Sequence, residues 1–177
     1  PFKKPESPYG STKQVCEKIL EDAATEKFRI ISLRYFNPIG AHPSALIGEL
    51  PIGVPNNLVP YVTQTAAGIR EKLLVFGNYY ETTDGSCVRD FIHVCDVAIA
   101  HVKAIEYLNN RKETSLFDAF NLGTGIGVSV LELVKKFIEV TGVTINYIIR
   151  PRRPGDVVKV YADPKKINTA FGWSTQY

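Results

Sequence analysis

LRYFNPIGAH, residues 33–42, joins an apolar segment to an Asn-Pro pair and a glycine-containing loop. The apolar segment, residues 28–36, is rich in β-branched and aromatic side chains and is typical of a buried strand. Ligands of open α/β folds bind where such strands end. Asn37 stands at that point and offers both hydrogen-bond donors and an acceptor. A plain strand-ending turn explains the same residues equally well.

Helical and strand patterns alternate on both sides of this segment, which predicts an α/β protein. Asn57 and Asp96 are expected to cap two of the helices, and Ser129 with Glu132 forms a capping box before a third. The sequence predicts helices over residues 9–25, 57–68, 96–108, 129–141 and from 163 to a stop at Gly172, and strands over 73–76, 88–92, 117–122 and 145–149. Residues 37–55 are expected to form one long, functional loop.

Composition excludes several classes of protein. The 177 residues are 45% hydrophobic and 22% charged, with a net charge of +3, which is ordinary for a globular protein. No basic block suits nucleic acid, no apolar run reaches the ~18 residues of a membrane span, and no signal peptide opens the chain. Three cysteines without paired spacing argue against a disulfide framework and favour a reducing, cytoplasmic compartment.

Tyr9 and Lys13 stand four residues apart, about one helical turn. A phenol has a free pKa of about 10, and a neighbouring ammonium group favours the phenolate. This pair is therefore a candidate general base, but the spacing is also common on exposed helix faces.

Arginines gather near the end of the chain at Arg150, Arg152 and Arg153, followed by Asp156, and Arg89 stands beside Asp90. Guanidinium groups can hold a diphosphate through paired donors. Ion pairing within the protein is the alternative.

GTGIG, residues 123–127, lies between a strand and a helix but lacks the third glycine and the later acidic residue of a dinucleotide fingerprint. We interpret it as a tight turn. No spacing of His, Cys and carboxylates predicts a metal site.

Taken together, seven stretches resemble the UDP-glucose 4-epimerases, a family of extended short-chain dehydrogenases/reductases. They are SPYGSTK, LRYFNPIGAHPS, GVPNNLVPYVTQ, LLVFG, DGSCVRDFIHV, FNLGTG and PRRPGDV, in family order. The resemblance implies a Rossmann-type NAD-binding domain, of which residues 1–37 are the tail, and a smaller α/β UDP-sugar-binding domain over residues 38–177, with some elements returning to the first domain. It also implies that the glycine-rich NAD fingerprint lies upstream, so we expect this chain to be inactive by itself.

The resemblance also implies roles for individual residues. Tyr9 is expected to be the catalytic base, and Lys13 to hold the nicotinamide ribose and depress the Tyr9 pKa. Tyr35 and Phe36 are expected beside the nicotinamide of NAD. The UDP-sugar is expected to contact Asn37, Asn57, Leu58, Leu74, Val75, Phe76, Arg89, Arg153, Asp156 and Val160, with the two arginines on the diphosphate and Asp156 near the uridine ribose.

The implied chemistry is the interconversion of UDP-glucose and UDP-galactose by transient oxidation at sugar C4, with the sugar turning about its diphosphate. The resemblance implies that a bulky residue at the position of Val160 excludes N-acetylated sugars. Because valine is not bulky, we hypothesise that this protein accepts such sugars. Two alternatives stay open: another nucleotide-sugar enzyme, such as a dehydratase or decarboxylase, and a UDP-sugar-binding fragment without catalysis. A homodimer of the complete enzyme is possible.

Overall fold

The computed structural model describes residues 5, 7–25, 27–111 and 117–177. Within them lie five helices, α1 Pro8–Ala23, α2 Leu58–Ala66, α3 Val94–Asn109, α4 Val130–Thr141 and α5 Lys165–Phe171. The strands are β1 Ile30–Tyr35, β2 Asn37–Ile39, β3 Leu73–Phe76, β4 Val88–Arg89, β5 Phe91–His93, β6 Phe117–Leu122, β7 Val128–Ser129, β8 Tyr147–Arg150 and β9 Lys159–Val160.

Most strand pairs are parallel, which confirms the predicted α/β class. β1 pairs with β6 over six residues, from Ile30 opposite Phe117 to Tyr35 opposite Leu122. β2 pairs with β5 and β3 with β8, both in parallel. β4 runs antiparallel to β7 and parallel to β9. The β1–β6 pair joins segments on either side of the domain boundary predicted at residue 37. The domain bounds stay a prediction. Residues 1–4, 6 and 26 of the first predicted domain lie outside the described part of the chain.

Two apolar clusters hold these elements together. The first lies between α3, α5 and the β1–β6 pair and consists of Ile92, Val97, Ala100, Ala104, Phe120, Leu122, Ile167, Phe171 and Trp173. The second lies between α2, α4 and β3 and consists of Val62, Leu73, Val75, Val134 and Ile145. Burying such side chains contributes about 1.5–3 kcal/mol each, so both groups of elements are firmly packed.

One predicted helix cap is wrong, and a second is right in position but makes no capping bond. His93 is the N-cap of α3, and its Nδ1 accepts a hydrogen bond from the Cys95 amide at 3.2 Å. Asp96 instead lies in the first turn, fully buried, and accepts hydrogen bonds from the amides of Gln176 and Tyr177. Asn57 is at the N-cap position of α2 but makes no side-chain capping bond. The predicted capping box of Ser129 and Glu132 on α4 is confirmed.

Four strand predictions change in detail. Residues 37–39 form β2 and are not part of the long loop, because they pair with β5. The predicted strand over 88–92 is two short strands separated by Asp90, which turns its carboxylate into the protein. The strand predicted from residue 145 begins at Tyr147, since Ile145 is a buried member of the second cluster. The buried strand predicted over residues 28–36 is β1 over residues 30–35, and it is only half-buried, with Tyr35 at its end 52% exposed.

Candidate active site

A groove runs across the ends of β1 and β3 and the start of α2. It consists of three adjoining cavities of about 310, 320 and 410 Å³. The first two share Asn57, Leu58 and Arg153 in their walls, and the last two share Phe36 and Arg89. Because neighbouring cavities have walls in common, they form one continuous site long enough for an extended ligand.

Thirteen of the fourteen residues proposed from the sequence line this groove. The 320 Å³ cavity is bordered by Tyr9, Tyr35, Phe36, Asn37, Asn57, Leu58, Arg89 and Arg153. The 310 Å³ cavity adds Leu74, Val75, Phe76 and Asp156, and the 410 Å³ cavity adds Val160. Lys13 is the exception. Val75 is only 1% exposed and packs in the second cluster, so the half-buried Leu74 and Phe76 on either side are the better placed for ligand contact.

The end of β1 is held in place by backbone bonds. The Phe36 amide donates to the Leu122 carbonyl at 3.2 Å, and the Asn37 amide donates to the Asp90 carbonyl at 3.0 Å. Both hydrogen bonds use the backbone, so the side chains of Phe36 and Asn37 stay available to the groove.

Arg89 is firmly oriented. Its Nη1 donates to the carbonyls of Val88 at 2.8 Å and Val157 at 2.7 Å, and its Nη2 donates to Asp156 Oδ1 at 2.8 Å. The side chains of Arg89 and Asp156 are 16% and 12% exposed. The guanidinium is therefore pre-positioned at the cavity wall before any ligand arrives.

Arg153 is held more loosely. Its Nε lies 3.4 Å from Asp156 Oδ2, its guanidinium lies 4.7 Å from the centre of the Phe76 ring, and its side chain is 53% exposed. Tyr80 also donates to Asp156 Oδ2, at 3.4 Å. Asp156 thus joins the two arginines, so the ion pairing considered from the sequence is present. Both cations still face the groove, where a diphosphate would meet them.

Tyr9 and Lys13 lie one turn apart on α1. Lys13 Nζ is 5.3 Å from the centre of the Tyr9 ring, and Tyr9 is 71% exposed. Ser7 caps this helix by accepting a hydrogen bond from the Gly10 amide at 3.1 Å. The cap begins the helix directly before Tyr9 and so fixes where the phenol leaves the backbone.

Asn57 sits at the N-terminus of α2 with its side chain exposed, and its Nδ2 donates to Glu49 Oε1 at 2.9 Å. The side-chain amide of Asn57 therefore restrains the loop before α2.

Sequence reasoning missed other residues of the groove, among them Asn56, Tyr61, Cys87 and Val130. Tyr61 stands one helical turn after Asn57, a spacing that could have revealed it. Cys87 and Val130 carry no such signal, because they come from distant segments. Burial raises the pKa of the Cys87 thiol, so this groove residue is a poor nucleophile at neutral pH.

The GTGIG turn is filled by the protein itself, in agreement with the sequence interpretation. Asp90 Oδ1 accepts from the amide and hydroxyl of Thr124 at 2.9 and 2.7 Å, and Oδ2 accepts from the amides of Gly125 and Ala162 at 3.0 and 3.1 Å. A Cβ on Gly123 would lie 2.5 Å from Asp90 Oδ2. This cradle therefore holds an internal carboxylate and has no room for a cofactor phosphate.

Tyr9, Tyr35 and Phe36 border one cavity at the end of β1, which suits the nicotinamide end of NAD. The fit is limited to that end of the cofactor. In the described part of the chain, no three His, Cys, Asp or Glu residues come together in a way that could bind a metal, and no helix there is long and apolar enough to cross a membrane.

Comparison with known proteins confirms the resemblance. The chain is 52% identical over 172 residues to UDP-glucose 4-epimerase of Bacillus subtilis, covering 96% of this chain and 50% of that protein. A structure of UDP-glucose 4-epimerase from Bifidobacterium longum in complex with NAD+ and UDP has a TM-score of 0.92 at 44% identity, over 100% of this chain and 52% of that one. The Stenotrophomonas maltophila enzyme with bound NAD and formylated UDP-arabinopyranose has a TM-score of 0.90 at 48% identity, over 97% and 51%.

The chain spans about half the length of the curated relatives it matches. A family model described as GDP-mannose 4,6 dehydratase matches residues 1–177. Given this match over the whole chain, the protein belongs to the GDP-mannose 4,6 dehydratase family, within which it is similar to UDP-glucose 4-epimerases.

Proposed function

We propose that this chain supplies the proton-transfer residues and the UDP-sugar groove of an NAD-dependent UDP-glucose 4-epimerase, which interconverts UDP-glucose and UDP-galactose. The observation that carries the proposal is the 320 Å³ cavity. Its wall brings Tyr9, at the start of α1, together with Arg89 and Arg153, which come from far along the chain. A phenol near two arginines matches a sugar whose reacting hydroxyl is tethered to a diphosphate.

Binding is assigned to the arginine end of the groove. Arg89 and Arg153 contact the diphosphate. Asp156 orients both guanidinium groups and also contacts the uridine ribose. Leu74, Phe76 and the edge of Val75 line the 310 Å³ cavity beside them. Strong contacts on the diphosphate leave the hexose free to turn, which an epimerase needs because the same carbon must be approached on two faces.

Proton transfer is assigned to the other end of the groove. Tyr9 accepts the proton of the sugar 4-hydroxyl through its phenolic oxygen, and Lys13 binds the nicotinamide ribose and favours the phenolate. Tyr35 and Phe36 pack beside the nicotinamide. Asn37, Asn57 and Leu58 orient the hexose between the two ends. NAD, when bound, supplies reversible acceptance of hydride from sugar C4.

Val160 lines the 410 Å³ cavity together with Asn37 and Arg89. A half-buried valine leaves room for an N-acetyl group there, so we propose that N-acetylated UDP-sugars are also substrates. Val160→Tyr should abolish turnover of UDP-N-acetylgalactosamine and preserve that of UDP-galactose. Absence of N-acetyl turnover in the parent enzyme, beside robust turnover of UDP-galactose, contradicts the proposal.

The test of function uses a chimera that carries the first half of the Bacillus subtilis relative followed by this chain. We expect the chimera to convert UDP-galactose to UDP-glucose. Tyr9→Phe removes the base and should lower kcat about 100-fold or more with little change in KM. The matched control is Tyr61→Phe, which alters a phenol of the adjoining 310 Å³ cavity to which no role is assigned, and it should keep most of the activity.

An inactive chimera that still binds UDP would favour the non-catalytic binding function. Loss of water from the sugar would favour the dehydratase chemistry named by the family model. The 177-residue chain alone is expected to bind UDP without turnover, because its GTGIG turn is filled by Asp90 and cannot hold the cofactor diphosphate.

The proposed setting is galactose metabolism in the cytoplasm, with a homodimer as the working enzyme and no nucleic-acid or membrane partner. Cys16, Cys87 and Cys95 are all free thiols, which supports a reducing compartment.

A further inference from the structure

We propose that Glu17 and Arg34 form a positioning pair that fixes the Tyr9 face of α1 against β1, the strand that leads to Phe36. The inference rests on the proposed function, since it gives the pair a role in aligning the proton-transfer residue with the cofactor site.

The pair is bidentate and largely withdrawn from water. Arg34 Nε donates to Glu17 Oε2 at 2.7 Å, and Arg34 Nη2 donates to Glu17 Oε1 at 2.5 Å. Ser32 Oγ adds a third hydrogen bond to Glu17 Oε2 at 3.3 Å. The Glu17 side chain is 11% exposed and that of Arg34 is 34% exposed. Two parallel bonds between planar groups restrict rotation as well as distance.

On the helix, the pair lies on the same side as the proposed catalytic residues. Tyr9, Lys13 and Glu17 are each four residues apart, so they form one stripe along α1. Within this half-length chain, α1 buries none of its described residues, so the polar bonds of Glu17 to β1 are its firmest tie to that strand. An anchor at Glu17 therefore determines which way the stripe, and with it Tyr9, faces.

On the strand, Arg34 itself borders the groove. Side chains alternate along an extended chain, so Ser32 and Arg34 lie on one face of β1. Arg34 precedes Tyr35 and Phe36 and borders the 410 Å³ cavity with them. Glu17 thus joins the helix that carries Tyr9 to the strand end that carries the proposed nicotinamide contacts, over a short and stiff path.

Loss of the anchor should reduce the rate and spare binding. A misplacement of about 1 Å at a reacting group can cost about 100-fold in rate. The proposed UDP contacts come from β3, β4 and residues 153–156, whereas Glu17 bonds Arg34 and Ser32 on β1. We therefore expect Glu17→Ala to lower kcat about 10- to 100-fold, with KM for UDP-galactose changed less than about twofold.

The test is made in the chimera defined above, with Glu21→Ala as matched control. Glu21 lies one turn further along α1, is 53% exposed and pairs with the exposed Lys18 at 3.3 Å. Glu21→Ala should keep the parent kcat. Glu17→Gln retains the shape and part of the hydrogen bonding, so it should restore part of the lost kcat. Glu17→Ala and Arg34→Ala combined should cost no more than either alone, as expected of residues that act as a unit.

Hydrogen exchange of the 177-residue chain is measured alongside, because it needs no activity. The amides of α1 should exchange faster in Glu17→Ala and stay as protected as the parent in Glu21→Ala. Unchanged kcat in Glu17→Ala overturns the positioning role while the proposed function stands. An equal rise in KM and loss of kcat also overturns it, because a general loss of structure moves both. If the parent chimera is inactive, the proposed function fails, and unchanged exchange in Glu17→Ala then overturns the anchoring itself.

Discussion

Replacing Arg153 by alanine should weaken UDP binding without destabilising the chain, whereas replacing Arg89 should do both. The difference follows from how the two guanidinium groups are held. Arg153 makes one long ion pair with Asp156 and is 53% exposed, and an exposed pair of this kind contributes about 0–1 kcal/mol to stability. A charge-assisted bond to phosphate is worth about 1.5–3 kcal/mol, which corresponds to a loss of roughly 10- to 100-fold in affinity.

Arg89 makes three bonds, all at 2.8 Å or less, and only one of them is to a carboxylate. Removing it leaves Asp156 without its better partner and takes one donor from the carbonyls of Val88 and Val157. Breaking a largely buried pair costs about 3 kcal/mol or more. At about 2–4 °C per kcal/mol for a chain of this size, Arg89→Ala should melt about 10 °C below the parent.

The assay is isothermal titration of each 177-residue variant with UDP, together with thermal unfolding followed by circular dichroism. Arg150→Ala serves as the control, because Arg150 is exposed at the end of β8 and borders none of the three cavities. It should bind UDP within about twofold of the parent if local contacts, and not net charge, set the affinity. The reasoning is refuted if Arg153→Ala melts as low as Arg89→Ala, or if Arg153→Ala binds UDP as tightly as Arg150→Ala.

Two further predictions concern stability. Burial raises the pKa of Asp84, but hydrogen bonds from Ser129 and Ser86 outweigh this effect and hold the pKa below its ordinary value. The ionised Asp84 carboxylate therefore stabilises the fold fully above about pH 4, and this stabilisation is lost as the pH falls through the folded-state pKa. Unfolding free energies from pH 7 to 3 should differ between parent and Asp84→Asn at neutral pH and converge in acid, and a difference that grows in acid would contradict this. Gly85→Ala should lower the free energy of unfolding in urea clearly more than Gly53→Ala. Both glycines have positive φ, but only at Gly85 would a Cβ meet the Asn78 carbonyl oxygen, at 2.1 Å. Equal losses of unfolding free energy would show that backbone strain alone accounts for the effect.

Local patterns predicted much of the fold. The strands Leu73–Phe76 and Phe117–Leu122 have the predicted bounds, and the Ser129–Glu132 capping box is where its spacing placed it. Gly172 ends α5 in the left-handed conformation, as a glycine after a helix indicates. Each of these depends on neighbours within a few residues, so the sequence contains the necessary information.

Long-range partners account for what the sequence could not predict. Asp96 resembles a helix cap, yet its carboxylate binds the amides of Gln176 and Tyr177, about eighty residues away. β2 was missed because Pro38 argues against a strand, while pairing with β5 supports one.

The candidate site shows the same difference between what local patterns predict and what depends on long-range partners. Motifs brought Tyr9, Asn37, Arg89 and Arg153 to attention separately. No local pattern predicts their meeting at one cavity, which was expected from the family resemblance alone. The bonds that join Tyr9's helix to β1 through Glu17 and Arg34 follow only from tertiary structure.

The most direct test of the account is the chemical identity of the product that the chimera forms from UDP-galactose. Proton NMR of the isolated sugar nucleotide distinguishes inversion at C4 from loss of water. The expected product is UDP-glucose with its C6 hydroxyl intact, formed at a rate that Tyr9→Phe lowers about 100-fold. A 4-keto-6-deoxy sugar, or UDP-glucose formed equally fast by Tyr9→Phe, would contradict it.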